Sequence, residues 1–149
     1  MPERVMAIAG ELFEMGVDEV TFADTIGCAN PTQMYDLLAY ARELWPERLL
    51  AVHLHDTRHM ALANAYAALQ AGISIFDASV GGLGGCPFSP GAAGNVATEK
   101  LVFMLHEMGI ETGINYERLL ECAQVAKALA MGAEMRHRTR TMLDGVMMG

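Results

Sequence analysis

Three short apolar runs constrain this chain more than anything else in it. EVTFAD, LLAVHLH and ISIFDA recur roughly every thirty residues, with helical patterns between them. Two of the runs are near-continuous in apolar residues, as buried parallel strands are. Strands that alternate with helices in this way form parallel βα units. The pattern predicts strands over residues 17–23, 49–55 and 73–78. It predicts helices over 2–15, 30–44, 57–71, 97–108 and 116–131. Val5, Ile8, Ala9, Leu12 and Phe13 are the expected inner stripe of the first helix. Asn30 and Pro31 open the second as cap and first-turn residue. Its expected buried face is Met34, Leu37, Leu38, Ala41 and Leu44. Residues 110–114 are a candidate fourth strand. An eight-stranded (β/α) barrel takes roughly 200 residues or more, and this chain has 149. The expected fold is α/β, one partial (β/α) barrel domain over 1–149 that is too short to close alone. Residues 132–149 read as a weakly patterned tail.

Composition narrows the function classes. The chain is 52% hydrophobic and 19% charged, which is globular rather than disordered. No apolar run is long enough to span a bilayer, so no membrane partner is expected. No secretory signal is expected either. A net charge of −8 argues against nucleic acid as the main partner. It leaves room for an anionic small molecule, since a metal or a few cations can dominate a pocket. The three cysteines, Cys28, Cys86 and Cys122, are odd in number and form no CxxC pair. Neither a disulfide framework nor a structural zinc site follows. A reducing cytoplasm or organelle matrix fits best. Cys122, among apolar helix neighbours, is expected in the core.

Two stretches carry chemistry. His53 and His55 lie two apart on a strand, so both imidazoles face one way at its C-terminal end. That end is where parallel α/β proteins place their sites. Two imidazoles on one face suit a divalent metal, or they form a hydrogen-bonded pair without one. The second stretch is GGLGGCPFSPGAAGN, residues 81–95, with six glycines, one cysteine and a closing Asn95. A mere linker needs no thiol. Cys86 in a Gly/Pro loop is placed to act as acid, base or nucleophile. Asn95 is either a helix cap or an amide ligand beside the histidines. Asp24 ends the first strand, as a loop carboxylate or a catalytic one. Asp77 ends the third and reads as structural. His106 and His137 read as surface residues, and His59 as partly exposed at a helix start.

These motifs together (ADTIG, HLHDT and GGLGGCPFSPGAAGNVATE) closely resemble the 3-hydroxy-3-methylglutaryl-CoA lyase family. The likeness runs from about Phe13 to Ala123. The cysteine loop separates it from related synthases, which carry a GERxGN-type sequence there. The resemblance implies the C-terminal half of a (β/α)8 TIM barrel. It implies a metal-assisted retro-Claisen cleavage of 3-hydroxy-3-methylglutaryl-CoA to acetoacetate and acetyl-CoA. His53, His55 and Asn95 match the ligands of a divalent cation, Mg²⁺ or Mn²⁺. Cys86 matches the loop acid/base, Asp24 a supporting strand-end carboxylate, and His53 doubles as a proton relay. Glu99 matches the GNxATE position. The family's Arg-Asp-Gly-type motif at the first barrel strand is not found here. At His59 the family more often has Gly. The implied partners are an acyl-CoA substrate and a homo-oligomer or the complementary N-terminal half, in the cytoplasm. The alternatives are a condensing enzyme or aldolase of the same superfamily, or a non-catalytic half-barrel that acts by association.

Overall fold

A computed structural model describes residues 2–84 and 94–146, with 133–146 as backbone alone. The three expected strands form: β1 (Glu19–Asp24), β2 (Leu49–Leu54) and β3 (Ile75–Asp77). They make one parallel sheet in the order β1-β2-β3. Right-handed crossovers in sequential order put successive connecting helices on one side of the sheet. That is the winding of a barrel rather than of a two-sided open sheet. The helices are α1 (Pro2–Glu14), α2 (Pro31–Leu44), α3 (Ala61–Gln70), α4 (Thr98–Glu107) and α5 (Tyr116–Val146). Residues 110–114 form no strand. Among the described residues no helix is long and apolar enough to cross a membrane.

Alternation along the strands decides what is buried. Val20 and Phe22 of β1, with Leu50, Val52 and Leu54 of β2, are buried among the helices. Met6, Ala9 and Phe13 of α1, Leu38 and Ala41 of α2, and Ala65 and Ala68 of α3 close over them. The other face carries Thr21, Ala23, Ala51, His53 and Asp77, of which Ala51 is buried, His53 half-buried and the other three exposed. Register sets Ala23 beside His53, and His53 beside Asp77. The sheet therefore presents its chemistry on the face that has no apolar cover among the described residues.

The start of α2 follows its local signals. Asn30 Oδ1 accepts from Gln33 N at 3.0 Å, and Gln33 Oε1 accepts from Asn30 N at 3.1 Å. This is a complete capping box. Elsewhere the packing overrides periodicity. Val5 and Ile8, expected inside, are 40% and 51% exposed, and Leu44 is exposed too. Val5 and Ile8 run along the free edge of β1, where they line an apolar cleft of about 320 Å³ with Phe22, Met34 and Leu37. No described element covers that edge. Cys122 is exposed rather than in the core. Among the described residues the buried positions of α5 are Leu119 and Ala123, four apart, and Cys122 lies off their stripe. The backbone of α5 continues to Val146 through the residues expected as a weakly patterned tail.

The helix expected from residue 57 begins at Ala61 instead. Asp56 intervenes: its carbonyl accepts from His59 N at 3.0 Å, and its Oδ1 accepts from Ala61 N at 3.1 Å. The carboxylate thus caps α3 from five residues upstream. This turn holds His59 at φ 57°, the left-handed region. A side chain there costs about 1–2 kcal/mol. His59→Gly is expected to stabilise the fold by about 0.5–1 kcal/mol, after the extra freedom of glycine in the unfolded chain. The His59 side chain is 86% exposed, so little packing is lost. A thermal midpoint raised by roughly 1–4 °C is the expected reading; an unchanged or lowered midpoint refutes it.

Candidate metal-binding site

The site is built on the C-terminal end of β2. His53 and His55 share a face, as their spacing requires. Their ring centroids are 5.2 Å apart and the planes meet at 65°. His53 is half-buried and His55 is buried. Asp77 Oδ2 lies 3.9 Å from His53 Nδ1, too long for a hydrogen bond but close for a charge contact. Register makes this neighbour: Asp77 is the β3 residue opposite His53. The carboxylate thus faces one ring nitrogen without bonding it.

Asn95 arrives from the far side of the Gly-rich stretch. Val96 N–H donates to Leu54 O at 2.9 Å, and Asp56 N–H donates to Gly94 O at 3.0 Å. Residues 94–96 therefore lie antiparallel to the end of β2, with His55 paired to Asn95. The same segment is tied to the end of β3. Ser79 N–H donates to Val96 O at 3.1 Å, and Thr98 N–H donates to Ser79 O at 2.9 Å. Asn95 Nδ2 donates to Leu83 O at 2.8 Å. A carbonyl can only be met by the NH₂ end of the amide, so Oδ1, the end that can ligate a metal, turns away from it. The cap position of α4 is Ala97. Asn95 is thus not the helix cap; it is held beside His55.

The electrostatics of His55 fit a ligand. Its Nδ1 is buried and has no hydrogen-bond partner among the described residues. An orphaned buried nitrogen costs about 1–3 kcal/mol. Burial first, and then the neighbouring His53, hold the His55 pKa below the ordinary histidine value; Asp24 acts in the opposite direction. The neutral imidazole so favoured is the form that binds a metal. Two imidazoles and an amide oxygen suit a divalent cation with open positions for water or substrate. Among the described residues no cluster of three or more His, Cys, Asp or Glu is arranged to hold one. The groups gathered at the end of β2 among the described residues are the histidine pair and the Asn95 amide.

The remaining candidates fall in different places. Asp24 holds the β1–α2 loop: its two oxygens accept from Cys28 N at 3.1 Å and Ala29 N at 3.0 Å. Cys86 lies outside the described residues. Glu99 is buried at the start of α4 and bonds Gly81 rather than the histidines. His106 is a surface residue, 2.9 Å from Thr112 Oγ1. Two further groups lie beside these residues. Asp77, expected to be structural, is set level with His53 by the β2–β3 register, which strand spacing does not fix. The Leu83 carbonyl that orients Asn95 leaves no trace in side-chain pattern.

Residues 1–126 match the family model described as HMGL-like. A hydroxymethylglutaryl-CoA lyase of Bacillus subtilis is 48% identical over 122 residues, covering 82% of this chain and 41% of that protein. A crystal structure of the Bacillus subtilis HMG-CoA lyase aligns with a TM-score of 0.82 at 46% identity, over 86% of this chain and 43% of the other. An Acinetobacter baumannii HMG-CoA lyase solved in complex with coenzyme A and 3-methylmalate aligns at a TM-score of 0.79 and 41% identity, over 85% and 42%. This chain spans about two fifths of the length of these relatives.

Proposed function

This chain belongs to the HMGL-like family, and from that premise we propose that it carries the metal-binding side of a site that cleaves 3-hydroxy-3-methylglutaryl-CoA. The observation that carries the reading is the meeting of His53, His55 and Asn95 at the end of β2, with His55 Nδ1 buried and unpaired. The names of the relatives supply the substrate class, and a solved neighbour with coenzyme A supports an acyl-CoA.

His53, His55 and Asn95 would hold a divalent cation, Mg²⁺ or Mn²⁺, which when bound acidifies a coordinated hydroxyl and steadies the charge that develops on it. The chain's own residues then divide the proton work. The tertiary hydroxyl loses its proton and the C2–C3 bond breaks. A ketone forms on acetoacetate, and the bonding pair passes to the thioester enolate. Asp24 is the strand-end carboxylate whose charge acts on His55. Its two oxygens hold backbone N–H groups, yet each keeps a lone pair able to accept the hydroxyl proton. His53, with the Asp77 carboxylate 3.9 Å away, is the alternative relay. Cys86 returns a proton to the enolate carbon and completes acetyl-CoA. The free edge of β1 and its apolar cleft support completion of the sheet by further strands, from a second copy or a longer chain. The free thiols of Cys28 and Cys122 support a reducing compartment, which we take to be the cytoplasm.

A chimera tests the reaction. Residues 1–126 of this chain replace the matching segment of the Bacillus subtilis relative. The expected result is Mn²⁺-dependent release of acetoacetate from 3-hydroxy-3-methylglutaryl-CoA, lost on His53→Ala. A folded chimera that binds Mn²⁺ and releases none refutes the proposed function.

A further inference from the structure

We propose that Glu99 is a positioning residue for Asn95, acting through the backbone of residues 81–83; this rests on the metal-site reading above. Glu99 is 8% exposed although it is charged and sits in the first turn of a helix. A carboxylate there is well placed in solvent, where it complements the helix dipole. Here it turns inward instead. Oε2 accepts from Gly81 N at 2.9 Å, and Oε1 meets Lys127 Nζ of α5 at 3.3 Å. Burying a carboxylate is costly unless its oxygens are matched in this way.

The route from Glu99 to Asn95 is short. Gly81 lies in a 3-10 turn, Val80–Gly82. The turn is closed by Gly82 N to Ser79 O at 2.9 Å and Leu83 N to Val80 O at 3.4 Å. Leu83 then presents the carbonyl that accepts from Asn95 Nδ2. Glu99 therefore fixes the front of the turn, and the turn fixes the amide. The packing leaves little slack. A Cβ on Gly81 would lie 3.1 Å from Lys127 Cε and Cγ, and one on Gly84 would lie 2.6 Å from Asn95 Nδ2. A Cβ on Gly94 would collide with the carbonyl oxygens of Gly82 and Gly84. The turn, α4 and α5 thus meet at one carboxylate, and the backbone of residues 82–84 packs closely on the Asn95 Nδ2 and on Gly94. Without the Glu99 anchor, the turn would be free to shift along Lys127, and Oδ1 would lose its fixed aim beside His55.

The test compares Mn²⁺ affinity, by calorimetric titration, for the parent chain, Glu99→Ala, Glu99→Gln and Glu99→Asp. Glu99→Ala is expected to weaken binding about tenfold, the scale of a lost second-shell partner. Glu99→Gln keeps an oxygen for Gly81 N–H and is expected to bind within about threefold of the parent, since the acceptor rather than the charge is what the turn needs. Glu99→Asp keeps the charge near Lys127 but withdraws the oxygen from Gly81, and is expected to bind about tenfold more weakly. A folded Glu99→Ala with parental affinity overturns the inference. If Glu99→Ala does not fold, parental affinity in Glu99→Asp overturns it. A second readout needs no metal: the side-chain NH₂ of Asn95 is expected to exchange with solvent faster in Glu99→Ala and Glu99→Asp than in the parent. Unchanged exchange in both overturns the inference even if the parent binds no Mn²⁺, an outcome that by itself sinks only the metal-site reading.

Discussion

His53→Ala is expected to reduce Mn²⁺ affinity more than about 100-fold while leaving the fold intact. Loss of a partner that merely orients a ligand typically costs 10–100-fold, and His53 is a direct donor in the proposed set. His53 is also the cleaner position to change. Its side chain stands on the open face of the sheet, opposite the buried Val52 and Leu54. Removing it exposes no core and creates no closed cavity. His55 is buried, so its replacement mixes a lost ligand with a packing defect. Titration of the parent and His53→Ala with Mn²⁺, with circular dichroism on the same samples, gives the answer. Equal affinity in the two would remove the metal assignment.

Gly27→Ala is expected to destabilise the chain well beyond the conformational cost of the residue. Gly27 has φ 64°, and its Cβ would lie 2.6 Å from Thr57 Oγ1, 2.8 Å from Thr57 N and 2.9 Å from His55 O. Two of those three atoms are backbone and cannot rotate away. The left-handed conformation costs about 1–2 kcal/mol, and overpacking adds about 1–3 kcal/mol. A loss of about 2–5 kcal/mol lowers the thermal midpoint by roughly 5–20 °C in a domain of this size. The strain falls on the segment that carries His55, so Mn²⁺ affinity in the folded fraction is expected to drop as well. Gly109→Ala is the control. Gly109 has φ 74°, but a Cβ there meets nothing within 4 Å. It pays the conformational cost alone, about 1–2 kcal/mol, with no change in Mn²⁺ binding. If Gly27→Ala costs no more than Gly109→Ala, the close packing of the β1–α2 loop on the end of β2 is not what holds His55 in place.

The residues that were readable in advance share one property: their partners are near in sequence. Asn30 finds Gln33 three residues on, and Pro31 fixes the first turn. The same-face placement of His53 and His55 follows from the pleat alone. The readings that failed are those that needed to know what lies across a gap. Val5 and Ile8 are apolar and periodic, yet no described element covers them. Thr57 begins a plausible helix, yet Asp56 spends its carboxylate on Ala61 N and delays the helix to Ala61. Cys122 has apolar neighbours along the chain, but the buried stripe of α5 passes through Leu119 and Ala123.

The candidate site divides in the same way. Period-two geometry is a property of the local chain, so the sequence by itself determined that three βα units form and that one strand carries an imidazole pair to the sheet's C-terminal edge. The placement of Asn95 was a different matter. Asn95 reads equally well as a helix cap. Only the hydrogen bonds of Val96 to Leu54 and of Asp56 to Gly94 lay it against His55. Only the Leu83 carbonyl decides which end of its amide turns away. Such bonds join segments far apart in the chain, and no side-chain pattern encodes a backbone carbonyl. Tertiary structure therefore decided which of the polar residues meet, because that depends on how the backbone beyond β3 returns to pair with the end of β2.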